Sequence, residues 1–140
     1  MLRLPEYRCV LKDEASDLLA RIPSADVLVV ATPVYFFGPS AQAKVLLDRA
    51  YSLFKFNQAT GAVDTAFKGT SFALIASGGG DLGDGLKIVE ETFRKLASLA
   101  GGGFSSLLVP NAPHEAGGPG RDPGLMKRAV DFGRALASRP

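Results

Sequence analysis

Between Ala25 and Arg49 the sequence leaves little freedom over what the chain can fold into. Val27-Leu28-Val29-Val30-Ala31 is an unbroken apolar run, rich in β-branched residues and without alternation. That is the pattern of a parallel strand covered on both faces, so 27–31 is predicted to be an interior strand. Thr32-Pro33 ends it, because the proline ring removes a backbone donor and restricts the residue before it. Tyr35-Phe36-Phe37 and Gly38-Pro39 follow, and Ser40 stands as N-cap to a helix that begins at Ala41 and reaches to about residue 54. An aromatic loop therefore sits at the carboxyl end of a buried strand. In an open parallel sheet that end is where ligands bind.

The rest of the chain repeats the unit. Asp13 caps a predicted helix through Ala15, Leu18, Leu19 and Ile22, which ends near Pro23. Residues 55–69 read as a polar connection broken by Gly61 and Gly69. A second buried strand, Ser71 to Ala76, runs into Ser77-Gly78-Gly79-Gly80-Asp81-Leu82-Gly83. A helix follows with Leu86, Val89, Phe93, Leu96, Ala97 and Ala100 on one stripe, and it closes at Gly101-Gly102-Gly103. Phe104 to Val109 is a third strand. An irregular Gly/Pro loop over 110–124 leads to a last helix opened by Asp122-Pro123, with Leu125, Ala129, Val130 and Leu136 inward. About three strands alternating with four helices require a parallel sheet with helices on its faces.

Composition narrows the function classes. A chain of 140 residues, 46% hydrophobic and 21% charged, suits one globular domain. Sixteen basic and fourteen acidic residues, scattered rather than striped, give no support to nucleic-acid binding. The apolar runs are too short to cross a bilayer, and Met1-Leu2-Arg3-Leu4-Pro5-Glu6 has no apolar signal core, so a cytoplasmic location without membrane contact is expected. Pro5 would interrupt an edge strand there. Cys9 is the single cysteine and is read as an inert thiol; it excludes an internal disulfide and any four-cysteine metal site. Ser40 and Ser77 lack a base, since the only histidine, His114, lies in the Gly/Pro loop, so a serine hydrolase is disfavoured. Asp48-Arg49 reads as a structural pair at a helix end.

Two loops carry the chemistry. Gly78-x-Gly80-x-x-Gly83 has dinucleotide-fingerprint spacing, but no acidic residue ends the next strand at Pro110-Asn111. The glycines equally allow backbone amides to approach the polar rim of a flat ring, or form a plain strand-to-helix turn. Tyr35, Phe36 and Phe37 could close over the core or wall a planar ligand. Three consecutive side chains cannot all point inward from a loop, which favours a lining role.

The segment ADVLVVATPVYFFGPSAQAKVLLDR resembles the signature of the flavodoxin-like NAD(P)H-dependent FMN reductases and the related iron-sulfur flavoproteins. In that family a loop of the type SPVYF, followed by SAQLKxFxDR, lines the isoalloxazine ring. The likeness extends more loosely from about Cys9, which with Lys12-Asp13-Glu14 is similar to the last cysteine of the iron-sulfur members' cluster, to the C-terminal helix. The resemblance implies an α/β flavodoxin-like three-layer sandwich. It also implies a flavin site formed by Thr32, Pro33, Val34, Tyr35, Phe36 and Phe37 together with Ser77, Gly78, Gly79 and Gly80. FMN would be the cofactor, NADPH or NADH the electron donor and a small molecule the acceptor, with no catalytic side chain and no metal.

The family pattern opens with a central strand, a phosphate-binding loop, a helix and a second strand, none of which precedes Cys9 here. The expectation is a single domain, 1–140, incomplete at its N-terminus. A non-catalytic remnant, or an electron carrier that binds flavin weakly or not at all, is the alternative to a reductase. Without a central strand beside it, 27–31 presents an apolar edge, which predicts association into a homodimer or homotetramer.

Overall fold

The computed structural model describes residues 7–138. The readings made for Met1 to Glu6, including the strand broken at Pro5, lie outside them. Three parallel strands form the centre: β1 (Val27–Tyr35), β5 (Ser71–Ser77) and β6 (Phe104–Val109). A two-residue strand β2 (Gly38–Pro39) adds to β1 antiparallel, giving the order β2-β1-β5-β6. Helices α1 (Glu14–Arg21), α2 (Ala41–Arg49), α3 (Lys87–Leu99) and α4 (Pro123–Ala137) fall between the strands as expected.

The helix starts obey their sequence signals. Asp13 and Ser16 form a reciprocal capping box at α1, Ser40 Oγ accepts from Ala43 N–H at α2, and Asp122 accepts from Gly124 and Leu125 N–H at α4. Helix α3 ends in a Schellman arrangement: Gly101, at φ +70°, donates to Ser98 O, and Gly102 donates to Ala97 O.

The core lies on one face of the sheet. Phe72, Leu74 and Ala76 of β5 pack against Leu19 and Ile22 from the α1 end, Leu53, and Leu86, Val89, Phe93 and Ala97 from the α3 side, with Leu28 and Val30 of β1 alongside. The opposite face of β1 is not covered by any described residue to the same degree. Val29 is 45% exposed and Ala31 is exposed. So the expected interior strand, buried on both faces, is here half-covered, and among the described residues 27–33 pair only with β5. That edge position explains how β1 runs through Pro33, where the sequence suggested a stop: a proline is tolerated where the missing donor faces no partner strand.

Two further expectations change. The helix predicted to about residue 54 ends at Arg49 and passes through one 3₁₀ turn, and Phe54 already belongs to a strand. The polar connection after it holds a hairpin, β3 (Phe54–Phe56) with β4 (Val63–Thr65), turned by Asn57, whose Oδ1 accepts from Ala59 and Thr60 N–H. Asp48 and Arg49 do not pair with each other. Asp48 meets Lys44, while Arg49 reaches back to Asp13 at 2.8 Å and to the Cys9 sulfur at 3.3 and 3.4 Å. The Arg49 hydrogen bond holds the Asp13 carboxyl below the usual carboxylate range. In effect Arg49 ties the chain before α1 to the end of α2.

Candidate functional site

Sheet register sets the geometry. Pro33, Ser77 and Val109 stand abreast across β1, β5 and β6. In a parallel sheet their successors must then leave from the same end, on strands spaced about 4.8 Å apart. Three loops accordingly meet there: the aromatic turn after β1, the glycine loop after β5 and the start of the Gly/Pro loop after β6.

The aromatic loop is a hairpin turn rather than an open loop. Tyr35 pairs with Gly38, leaving Phe36 at φ 46° and Phe37 at φ 64° as its two central residues. Positive φ at both positions matches the twist of a two-residue hairpin, but it ordinarily selects Asn or Gly. A phenylalanine there is held in a costly region of backbone space. Both rings face solvent; Phe36 is 99% exposed, and Tyr35 and Phe37 are more than half exposed. Thr32 and Val34 lie beneath. Thr32 is buried, its hydroxyl donating to Pro33 O and accepting from Ser40 N–H at 2.9 Å, so it fastens the start of α2 to β1. Val34 packs into the core beside Leu86.

The glycine loop is folded by its two aspartates. Asp81 Oδ1 accepts from Gly83 N–H and Asp84 Oδ2 from Asp81 N–H, a capping box that opens a kinked turn, residues 82–86, in which Asp84 and Gly85 leave helical geometry ahead of α3. A Cβ on Gly80 would stand 2.4 Å from Asp84 Oδ2, and a Cβ on Gly85 (φ +109°) would stand 2.8 Å from both Phe37 Cα and Val34 Cγ1. Gly85 is thus the place where the aromatic turn rests on the glycine loop. The fingerprint's third glycine, Gly83, abuts Asp81 instead of packing helix on strand. With β6 ending in Pro110-Asn111 and no acidic residue at that strand end, the dinucleotide reading loses its structural basis.

The third loop is stitched to the second. Gly78 N–H donates to Val109 O, Ala112 N–H to Gly78 O and Asn111 N–H, from a residue at φ 51°, to Gly80 O. These bonds consume the carbonyls of Gly78 and Gly80. The N–H groups of Gly79 and Gly80 donate to no protein group among the described residues. The result is an open shelf with free amide donors on one side and exposed aromatic rings on the other, a donor set that fits the polar rim and the faces of a planar heterocycle. Sequence reasoning gave Asp84 and the residues after Val109 no role at this site. The Asp-x-x-Asp spacing of a capping box was the available signal. No group of three or more metal-ligating side chains occurs among the described residues, and no described helix is long and apolar enough to cross a membrane. A cavity of about 330 Å³ lined by Tyr7, Cys9, Ser16 and Leu53 borrows no residue from the three loops.

Comparison with known proteins bears on this arrangement. The sequence model of a family described as NADPH-dependent FMN reductase matches residues 2–106. An iron-sulfur flavoprotein of Methanocaldococcus jannaschii is 40% identical over 48 residues, 34% of this chain and 25% of that protein. An FMN-dependent NADH:quinone oxidoreductase of Thiobacillus denitrificans is 33% identical over 72 residues, 50% of this chain and 35% of that one. The chain therefore spans between a quarter and about a third of these relatives. Among solved structures, an FMN-dependent NADH-azoreductase from Bacillus anthracis in complex with FMN superposes with a TM-score of 0.63 at 16% identity, over 88% of this chain and 60% of that one. An NADPH-quinone reductase from P. pentosaceus gives 0.60 at 16% identity, over 92% and 77%. At such identities the likeness shows the fold, which is flavodoxin-like.

Proposed function

We propose, from the premise that this chain belongs to the NADPH-dependent FMN reductase family, that the shelf holds the isoalloxazine ring of FMN and that the protein is an FMN-dependent NAD(P)H oxidoreductase. The observation that carries the reading is the alignment of Pro33, Ser77 and Val109, which puts exposed aromatics and unpaired glycine amides at one end of the sheet. Bound there, the flavin supplies the redox chemistry, between a reduced nicotinamide and a small-molecule acceptor. The residues of the chain position it. Gly79 and Gly80 offer N–H donors to the ring's polar rim, Tyr35, Phe36 and Phe37 flank its plane, and Thr32, Pro33, Val34, Ser77 and Gly78 set the spacing between the two sides. No side chain acts as general acid or base. Residues 1–140 belong to one flavodoxin-like domain, incomplete at its N-terminus, that works in the cytoplasm, where reduced nicotinamide is available.

FMN is preferred to FAD because no second nucleotide-binding unit exists among the described residues to hold an adenosine half. The test supplies purified chain with NADPH or NADH, an excess of FMN or FAD, and an electron acceptor. Nicotinamide oxidation that requires FMN is the expected result. Equal activity with FAD, or none at FMN concentrations that saturate binding by flavin fluorescence, overturns the reading.

Self-association into a homodimer or homotetramer is part of this proposal. It is supported by the one-sided pairing of residues 27–33 and the exposure of Val29 beside them, a combination that invites another chain. Light scattering over a dilution series is expected to show a concentration-dependent mass. A monomer at every concentration refutes it.

A further inference from the structure

The one histidine of the chain stands at the shelf. Residues 109–112 are bonded to the glycine loop by three backbone hydrogen bonds, and they deliver His114, two residues on, over Gly79. A Cβ built on Gly79 would lie 3.4 Å from His114 Cε1 and 3.6 Å from Nε2, so the Cε1–Nε2 edge of the imidazole covers the open side of that peptide. Gly79 is exposed and so is His114. No described protein group hydrogen-bonds the imidazole.

We propose that His114 is a ligand-binding residue of this site, its imidazole forming the third wall of the shelf and contacting the oxygen-bearing rim of the flavin beside the Gly79 and Gly80 amides. This rests on the FMN reading above. The chemistry follows from position. A ring edge rich in carbonyl oxygen and nitrogen, approaching the two free amides, must pass the edge of the imidazole, and an imidazole N–H can donate to such a rim where a glycine-only loop offers backbone alone. A hydrophobic side chain at 114 would cover Gly79 equally but give no donor.

Because the histidine is unique, its Cε1–H proton resonance is a single probe. It is read by NMR while FMN, and separately riboflavin, which carries the ring without the phosphate, are titrated to millimolar concentration, with flavin fluorescence recorded on the same samples. The expected result is a saturable shift of the resonance by both compounds, with the midpoint given by fluorescence. The His114→Phe variant should then bind FMN roughly two- to ten-fold more weakly, the worth of one hydrogen bond, and His114→Gln should recover part of the loss. Saturable fluorescence with an unmoved resonance overturns this inference and leaves the FMN reading intact. Absence of saturable binding overturns both. A His114→Phe variant that binds as tightly as the parent overturns the donor role whatever the resonance does.

Discussion

Purified as 140 residues, the protein is expected to come off the column colourless and to bind added FMN weakly. The ring contacts are in place, but the described residues give a phosphate a poor reception. The helices that begin at the carboxyl end of the sheet are α2, the turn before α3, and α4, and two of these three starts are capped by a carboxylate, Asp81 and Asp122. A helix start attracts a phosphate through its free N–H groups and positive dipole end. An aspartate that already takes those N–H groups removes both attractions. At α2 the hydroxyl of Ser40 takes the Ala43 N–H. Three charge-assisted hydrogen bonds to a phosphate, each worth about 1.5–3 kcal/mol, would contribute roughly 4–9 kcal/mol. Without them the dissociation constant rises by on the order of three to six decades relative to a site that has them. Fluorescence titration measures this directly, and riboflavin should bind within a few-fold of FMN. Nanomolar FMN affinity, or a large preference for FMN over riboflavin, would show that the phosphate is gripped after all.

A large effect on stability is expected from one methyl group. In Gly102→Ala the new Cβ would stand 2.2 Å from the backbone oxygen of Thr70 and 2.9 Å from the Phe72 ring. Neither neighbour can yield easily. Thr70 is buried and leads into β5, and Phe72 N–H donates to Gly103 O at 2.7 Å, so the α3–β6 turn is clamped onto the strand. Overpacking of this kind costs about 3 kcal/mol, which for a chain of this size lowers the midpoint of thermal unfolding by on the order of 10 °C. Gly101→Ala is the control. Gly101 has φ +70° and open space around its Cβ position, so it should lose only the left-handed preference, about 1 kcal/mol. Equal midpoints for the two variants would mean that the turn moves away from Thr70 at no cost.

What could be read in advance depended on whether the cause lay in neighbouring residues. The apolar run 71–76 and the stripe from Leu86 to Ala100 announce burial by their own spacing, and Asp13, Ser40 and Asp122 announce helix starts, all within four residues of what they cap; the run 27–31 announces a strand but not that one of its faces stays open. Pro33 misled, because a proline ends a strand only where its nitrogen faces a partner, and that depends on which strands lie alongside. The β3–β4 hairpin was legible in the alternation of Phe54-Lys55-Phe56 and Val63-Asp64-Thr65, but the segment between them is polar enough to read as plain connection. Arg49 could not be paired from sequence, since Asp13 and Cys9 are 36 and 40 residues away. At the shelf, the sequence indicated which loops matter. It did not indicate that Phe36 and Phe37 occupy a turn usually given to Asn-Gly, because backbone preference argues against phenylalanine there and only the strand pairing on either side imposes it.

That turn has a consequence for how a flat molecule would be met. Its backbone is fixed from both ends by the Tyr35–Gly38 pair and from below by Gly85, so the rings are presented by a frame with almost no slack. Each ring keeps two rotatable bonds, and stacking against it freezes little motion compared with what a long polar side chain would surrender. The conformational strain of the two phenylalanines is met during folding, once, and the arriving ligand finds its contact surface already extended into water.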